Sequence, residues 1–299
     1  MKRREFVTAS LGWAAMAAAA PAWGRSAAAA RHRLACNSWP FRGYFDTPEM
    51  HHYRDPKLPL LDQAEFPTFL ADTFGIHAVE FLPQHFADTS PDYVARVKAG
   101  VRKARSRVVN LMGVELPGGV YNPHLDVARA LAAGRLWIDI AVALNAPSAT
   151  FVLGGPPPFD TRRAAEHLRP ILDYARSRRV KMLFHNDDIR RESADQILAV
   201  LAALDSPDAG TCPDFGNFAP KSAAYALETL KRLIPHASNI CHAKDGIAEG
   251  GKFYADDFAA SMRATEAAGF RGHYSLEFEG LGPAIPGVRA LLAKTLRYL

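Results

Sequence analysis

The chain has 299 residues, 48% of them hydrophobic and 22% charged, with a formal net charge of +5. These proportions are ordinary for a soluble globular protein and allow one large core. Lys2, Arg3, Arg4 and Arg25 against Glu5 supply three of the five net charges, so the remainder lacks the basic excess that nucleic-acid binding needs.

The first residues, MKRREFVTASLGWAAMAAAAPAWG, are basic at the start, apolar and Ala-rich in the middle, and end in small side chains. Residues 1–30 therefore read as a signal peptide. Arg3 and Arg4 followed by Glu5, Phe6 and Val7 resemble the twin-arginine type, a route for proteins exported already folded. Cleavage after Ala22 or near Ala30 would leave a periplasmic or otherwise exported protein, with no stable membrane insertion. No other apolar run reaches the roughly 18 residues of a membrane helix. The three cysteines, Cys36, Cys212 and Cys241, are an odd set in strand-like apolar runs. They read as buried small hydrophobes, not as a disulfide framework.

Beyond residue 30, short apolar runs alternate with helical patterns. Arg33–Phe41 is the first strand. The polar, turn-rich residues Gly43–Pro59 form a long insertion, with His51 and His52 as a solvated pair. Leu60–Phe74 is helical and Gly75 stops it; Ile76–Phe81 is the second strand. Helix Pro91–Arg105 precedes strand Val108–Leu116, and helix Pro123–Leu144 precedes strand Ala149–Gly154. The stiff loop GGPPPFD leads to helix Thr161–Arg179, started by Asp160 and Thr161. Strand five is Val180–Phe184, followed by helix Glu192–Leu204. Thr211–Pro213 enters the aspartate of strand six; Lys221–Ile234 is helical. Asn239–His242 is strand seven, Asp256–Ala268 a helix closed by Gly269, Tyr274–Phe278 strand eight and Val288–Leu299 a last helix.

Eight strands alternating with helices predict an α/β protein with a parallel sheet. Length and alternation together point to a (β/α)₈ TIM barrel, a single domain over residues 31–299. Strand one is not followed by Gly-x-Gly-x-x-Gly, so a dinucleotide fold is unsupported, and no Gly-Lys-Ser/Thr phosphate loop is present.

The last four strands each end in a side chain able to bind a metal. They read VKMLFHNDD, GTCPDFGNF, SNICHAKDG and GHYSLEFEG, and the candidates are His185, Asp214, His242 and Glu277. Their separations of 29, 28 and 35 residues match one strand-plus-helix unit each. Such residues meet at the C-terminal mouth of a barrel. Two imidazoles and two carboxylates suit one divalent ion, Mn, Co, Zn or Mg. Lys244 lies two residues beyond His242, and Glu279 two beyond Glu277, so each points to its neighbour's face if the strand continues. Glu80 and His85 near the end of strand two, and Trp39 in the first, are candidate substrate contacts, with Trp39 able to stack on a sugar. Asp187 reads as an acceptor for His185 or a helix-start residue.

These runs carry a family resemblance. CHAKDG, CPDFGN and YSLEFEG resemble the His-x-Lys-Asp, Asp-x-Gly-Asn and Glu-x-Glu-Gly strands of the xylose isomerase-like barrel superfamily, and GIHAVEF its second strand. That group includes sugar phosphate isomerase/epimerase proteins, ketose 3-epimerases, inosose dehydratase and endonuclease IV. The resemblance covers about residues 31–299. It implies Asp214, His242 and Glu277 as metal ligands, with Lys244 and Glu279 lining the substrate pocket. At strand five the family has Glu followed by Asn-His, where this chain has His185, Asn186 and Asp187. A metal-bound carboxylate keeps a second oxygen for proton abstraction, and a metal-bound imidazole has no such spare base. Chemistry with one principal base, Glu277, is therefore expected, assisted by Lys244.

The expected function is a metal-dependent isomerase/epimerase-like enzyme acting on a non-phosphorylated or oxidised carbohydrate. A lyase or hydratase on a keto-sugar or keto-glycoside is the first alternative. A non-catalytic sugar-binding barrel is the second. An endonuclease would need further metal ligands and a basic surface.

Overall fold

The computed structural model describes residues 27–155, 158–187 and 193–299. The export segment read at the N-terminus lies outside these residues up to position 26. Among the described residues no helix is long and apolar enough to cross a membrane.

Eight parallel strands form the barrel: β1 (Leu34–Asn37), β2 (Ala78–Phe81), β3 (Arg107–Val114), β4 (Ser148–Phe151), β5 (Lys181–His185), β6 (Ala209–Cys212), β7 (Ile240–Ala243) and β10 (His273–Leu276). Hydrogen bonding runs in the order β6-β5-β4-β3-β2-β1-β10-β7. Parallel bridges from Thr211 to Ala237 and from Asp214 to His242 link β6 to β7 and bring the ring nearly to closure. Strands β8 (Gly246–Glu249) and β9 (Lys252–Ala255) form a separate antiparallel hairpin after β7, which the alternation of strands and helices does not predict.

The helices are α1 (Ala27–His32), α2 (Phe66–Phe74), α3 (Pro91–Lys103), α4 (Val127–Ala143), α5 (Thr161–Ser177), α6 (Ala194–Leu204), α7 (Ala223–Leu233), α8 (Phe258–Ala267) and α9 (Ala284–Leu296). Their sequences explain their bounds. The side chains of Ser90, Asp126, Asp160, Ser193, Ser222 and Asp257 each accept the amide N–H three residues on, capping α3 to α8. Asp126 is why α4 begins later than Pro123. Gly75, at φ 66°, ends α2 in the left-handed region. In α5, Ala164, Leu168, Ile171, Leu172 and Ala175 recur at helical spacing and are all buried. They turn one stripe to the strands and leave the arginines outside.

The first strand is shorter than Arg33–Phe41. Pairing stops at Asn37, and a 3₁₀ segment, Trp39–Tyr44, follows with Pro40 in its first turn. Along each strand alternate residues face the helices or the barrel interior. A small apolar set, Ala35, Ala78, Val109, Leu183, Cys212 and Ile240, lies apart from the main core. The barrel strands also carry fully buried polar residues: Glu80, Asn110, Thr150, His242 and Ser275. This polar set underlies the functional site. All three cysteines are buried and free, and burial raises each thiol above its ordinary value, which keeps them neutral.

Candidate metal and substrate site

The four predicted ligands converge. His185 Nε2 lies 3.9 Å from Asp214 Oδ2, and His242 Nδ1 lies 3.5 Å from the same oxygen and 3.2 Å from Glu277 Oε2. His185, Asp214 and His242 form a compact buried group of potential ligand atoms. Both nitrogens of His185, Oδ2 of Asp214 and Nδ1 of His242 are sealed from solvent and make no hydrogen bond. Buried polar atoms ordinarily find partners, and one cation between these atoms would satisfy Nε2, Oδ2 and Nδ1 together. The residues therefore fit a divalent ion in donor type and in unmet bonding capacity.

Three of the four candidates, Asp214, His242 and Glu277, are held from behind. Asp214 Oδ1 accepts the backbone N–H of Gly216 and of Asn217, both at 2.7 Å, leaving Oδ2 for the cluster. Asn186 locks the ends of β5 and β6 together: its Oδ1 accepts Asp214 N at 2.7 Å and its Nδ2 donates to Asp214 O at 3.0 Å. His242 Nε2 lies 3.1 Å from Glu80 Oε2, so Nδ1 is the nitrogen turned to the ligands. Asn37 Nδ2 donates to Glu277 Oε2.

The charges are strongly coupled. Burial alone would protonate Asp214, but Lys244 and the two imidazoles hold its carboxyl well below the usual range. Burial, with His242 nearby, pushes His185 well below its ordinary value, so it is neutral and keeps a lone pair for a metal. Burial opposes a charge on His242 as well; Glu80 and Glu277 outweigh it and raise His242 well above its ordinary value. Burial raises Glu277.

Lys244 is fully buried and saturated. Its Nζ lies 2.6 Å from Glu277 Oε1, 2.6 Å from Glu279 Oε2 and 3.5 Å from Asp214 Oδ2. It also donates to Asn217 Oδ1 at 2.6 Å. These carboxylates raise it well above its ordinary value against the cost of burial. A Cβ on Gly216 would come within 3.0 Å of the Lys244 stem, so a glycine here makes room for the lysine.

The cluster opens into a cavity of about 1000 Å³, lined among others by Trp39, Asp187, Asn217, Lys244, Glu277 and Glu279. Trp39 Nε1 donates to Glu279 Oε1. His185, Asp214 and His242 lie beneath this lining, whereas Glu277 spans both: Oε2 faces the ligands and Oε1 faces Lys244.

Two expected substrate contacts are corrected. Glu80 is fully buried, and it accepts bonds from Asn110 Nδ2 at 2.7 Å and Ser275 Oγ at 2.6 Å besides facing His242. It fixes the His242 ring from behind and does not reach the cavity. His85 is also fully buried. It stacks between Phe45, at 4.4 Å, and Trp39, at 6.2 Å, and burial lowers it to about 3. It backs Trp39 as a neutral ring. His51 and His52 are exposed, and His51 pairs with Asp46 at 2.9 Å.

Other elements also reach the cavity. The insertion supplies Tyr53, the hairpin supplies Ile247, Ala248 and Glu249, and the segment after β5 supplies Asp187, which the sequence offers only as a partner of His185 or a helix-start residue. Asn37 and Asn186 hold ligands through amides, and amides at strand ends give no distinctive spacing. The hairpin's one signal was the Gly250-Gly251 pair.

The family model described as the xylose isomerase-like TIM barrel matches residues 69–298. No curated protein sequence matches the chain. Among solved structures, the chain is similar to a xylose isomerase-like TIM barrel protein from Mycobacterium smegmatis in complex with magnesium. Identity is 14%, over 90% of this chain and 99% of that one, with a TM-score of 0.64. It is similar to 3-keto-D-glucoside 4-epimerase from E. coli, with 12% identity over 89% of this chain and 99% of that one and a TM-score of 0.63. A third is the probable 3-DHS dehydratase AsbF from Bacillus anthracis, with 12% identity over 87% and 97% and a TM-score of 0.63. At these identities the likeness is one of fold.

Proposed function

From the premise that the chain belongs to the xylose isomerase-like TIM barrel family, we propose that it is a metal-dependent isomerase/epimerase-type enzyme acting on a non-phosphorylated or oxidised carbohydrate. The observation that carries this reading is Glu277, with one oxygen turned to the orphaned ligand atoms and the other to Lys244 at the cavity. His185, Asp214, His242 and Glu277 would hold one divalent ion. When bound, the ion supplies positive charge that polarises a carbonyl or hydroxyl oxygen. The magnesium complex and the 4-epimerase among the similar structures agree with this reading, and the dehydratase with the lyase alternative, each as a likeness of fold only.

Glu277 takes a proton from the carbon beside a substrate carbonyl, and the C–H electron pair moves toward that carbonyl's oxygen. Lys244, beside Glu277 and Glu279, steadies the negative charge that develops. Return of the proton to the former carbonyl carbon, with the adjacent hydroxyl's proton passing to the former carbonyl oxygen, gives an isomer. Return to the opposite face gives an epimer and needs a second acid. Asp187 lines the cavity at the end of β5, which is separated from β10 by β6 and β7, and offers that acid. A lyase reading draws support from His185 itself: it is fully buried and cannot act as the opposite base, so departure of a β-substituent is open to the same Glu277 step.

Among the described residues the cavity lining holds five carboxylates, Glu115, Asp187, Glu249, Glu277 and Glu279, against Lys221 and Lys244, a balance that disfavours phosphorylated substrates. Export, read from residues 1–30, fits the same preference and is tested by fractionating cells that express the full chain. The reaction is tested by incubating the metal-loaded protein with ketoses and keto-glycosides in D₂O. Deuterium beside the carbonyl with a new isomer supports the leading reading. Cleaved product supports the lyase, and no exchange on any substrate contradicts both. In an epimerase, Asp187→Asn keeps exchange and loses the epimer.

A further inference from the structure

The mouth of the barrel has two unlike sides. The ends of β5, β6, β7 and β10 bring the charged cluster. The ends of β2, β3 and β4 bring Leu82, Gln84, Met112 and Val152, with Phe159 from the loop after β4. Glu115 is the one charged lining residue of that side among the described residues. Gln84 has its amide turned to Gly113 O at 3.2 Å, and its buried Oε1 has no partner. Phe159 is braced edge-on by Tyr121, with ring centroids 5.2 Å apart.

Room exists for more than a single sugar. The cavity of about 1000 Å³ is at the upper end of the range that encloses a drug-sized ligand. A recess of about 350 Å³ shares Glu115 and Val152 with it and is otherwise bounded by Leu116 and four glycines. That recess extends the cavity on the apolar side, away from Lys244 and Glu277.

We infer that this side is an aglycone subsite, and that the substrate is a neutral glycoside whose reacting sugar sits on the charged cluster while an aromatic aglycone lies against Met112, Val152 and Phe159. The inference rests on the carbohydrate reading above. A free monosaccharide would leave the apolar wall wet, and a second sugar would meet few polar partners there. An aromatic ring buries that wall and can stack on Phe159. A phosphorylated or carboxylated aglycone would face Glu115 with no cation on its own side to answer it.

The test is calorimetric titration of the full, metal-loaded chain with p-nitrophenyl and methyl glycosides of the same sugar, for glucose, galactose and their 3-keto forms. The aryl glycoside is expected to bind about ten-fold more tightly than the methyl glycoside, the equivalent of one well-packed aromatic contact. Phe159→Ala, in a loop, should remove most of that ratio and leave the methyl glycoside's affinity unchanged. Met112→Ser, which cuts the same wall from β3, should do likewise. Equal affinities in the unaltered protein overturn the inference, as does an aryl preference that survives both variants. Tighter binding of a disaccharide than of the aryl glycoside also overturns it, by assigning the subsite to a polar ring. Binding of neither glycoside of any tested sugar overturns the carbohydrate reading itself, and the subsite with it.

Discussion

The two sides of the barrel mouth are built from the same kind of strand end, yet they do opposite physical work. On the β5–β10 side, Asp214, His242, Lys244 and Glu277 are almost wholly buried. Their desolvation is offset by one another, by Glu80 and Glu279, and by the amides behind them. On the β2–β4 side, Met112 and Val152 face the cavity at little electrostatic cost, 6% and 7% exposed. A charged cluster of this kind is a poor way to stabilise a fold, so its presence argues for function. The apolar side is what gives a ligand affinity without altering the charges that would do chemistry.

The contrast predicts different losses on the two sides of the mouth. The largest effect is expected from Asp214→Ala, which removes the one ligand whose other oxygen is fixed by two backbone amides. Metal affinity should fall by at least about 100-fold, measured as metal retained after dialysis; full retention would mean the donors are not these. Lys244→Met comes next. It leaves Glu277 and Glu279 without their shared cation, and turnover should drop by about 100- to 10,000-fold while metal content holds. Loss of the metal as well would show that the lysine organises the ligands and does not act on substrate.

His185→Glu returns a spare carboxylate oxygen to the interior end of β5. Deuterium exchange on a ketose should rise by about ten-fold, the scale of a modest general-base gain. No exchange at saturating metal would place control of the reaction in the cavity wall, not at position 185. The smallest effect concerns stability. Asp256 has both oxygens sealed and unpartnered, and burial together with Asp214 and Asp245 raises its carboxyl from 3.8 to about 8. A raised folded value means that its stabilising share is complete below about pH 4 and is lost as pH climbs to 8. Asp256→Asn should therefore raise the melting temperature by about 2–4 °C at pH 8 and leave it unchanged at pH 4. An equal gain at both pH values would point to packing and not to ionisation.

The same contrast explains what could be read from the sequence. Eight strands and their order follow from alternation and from caps such as Ser90 and Asp160, which act locally. The convergence of the four candidates was legible because His185, Asp214, His242 and Glu277 are costly residues at apolar strand ends, repeated at the period of the fold. Glu80 and His85 belong to the same chemical types, and only three-dimensional partners, Ser275 and Asn110 for one, Phe45 and Trp39 for the other, reveal that they support and do not touch the cavity. The apolar wall was illegible for the converse reason. Met112 and Val152 look like core residues, and nothing local distinguishes a side chain facing a cavity from one facing a helix. The hairpin Gly246–Ala255 was missed because its residues alternate too briefly to stand out between β7 and α8.

The most direct test of the central claim is the elemental content of the purified protein prepared without added metal. About one divalent ion per chain is expected, as a four-ligand site would hold, lost in Asp214→Ala. A protein that holds no metal, even after reconstitution with Mn²⁺, Co²⁺ or Zn²⁺, would contradict it.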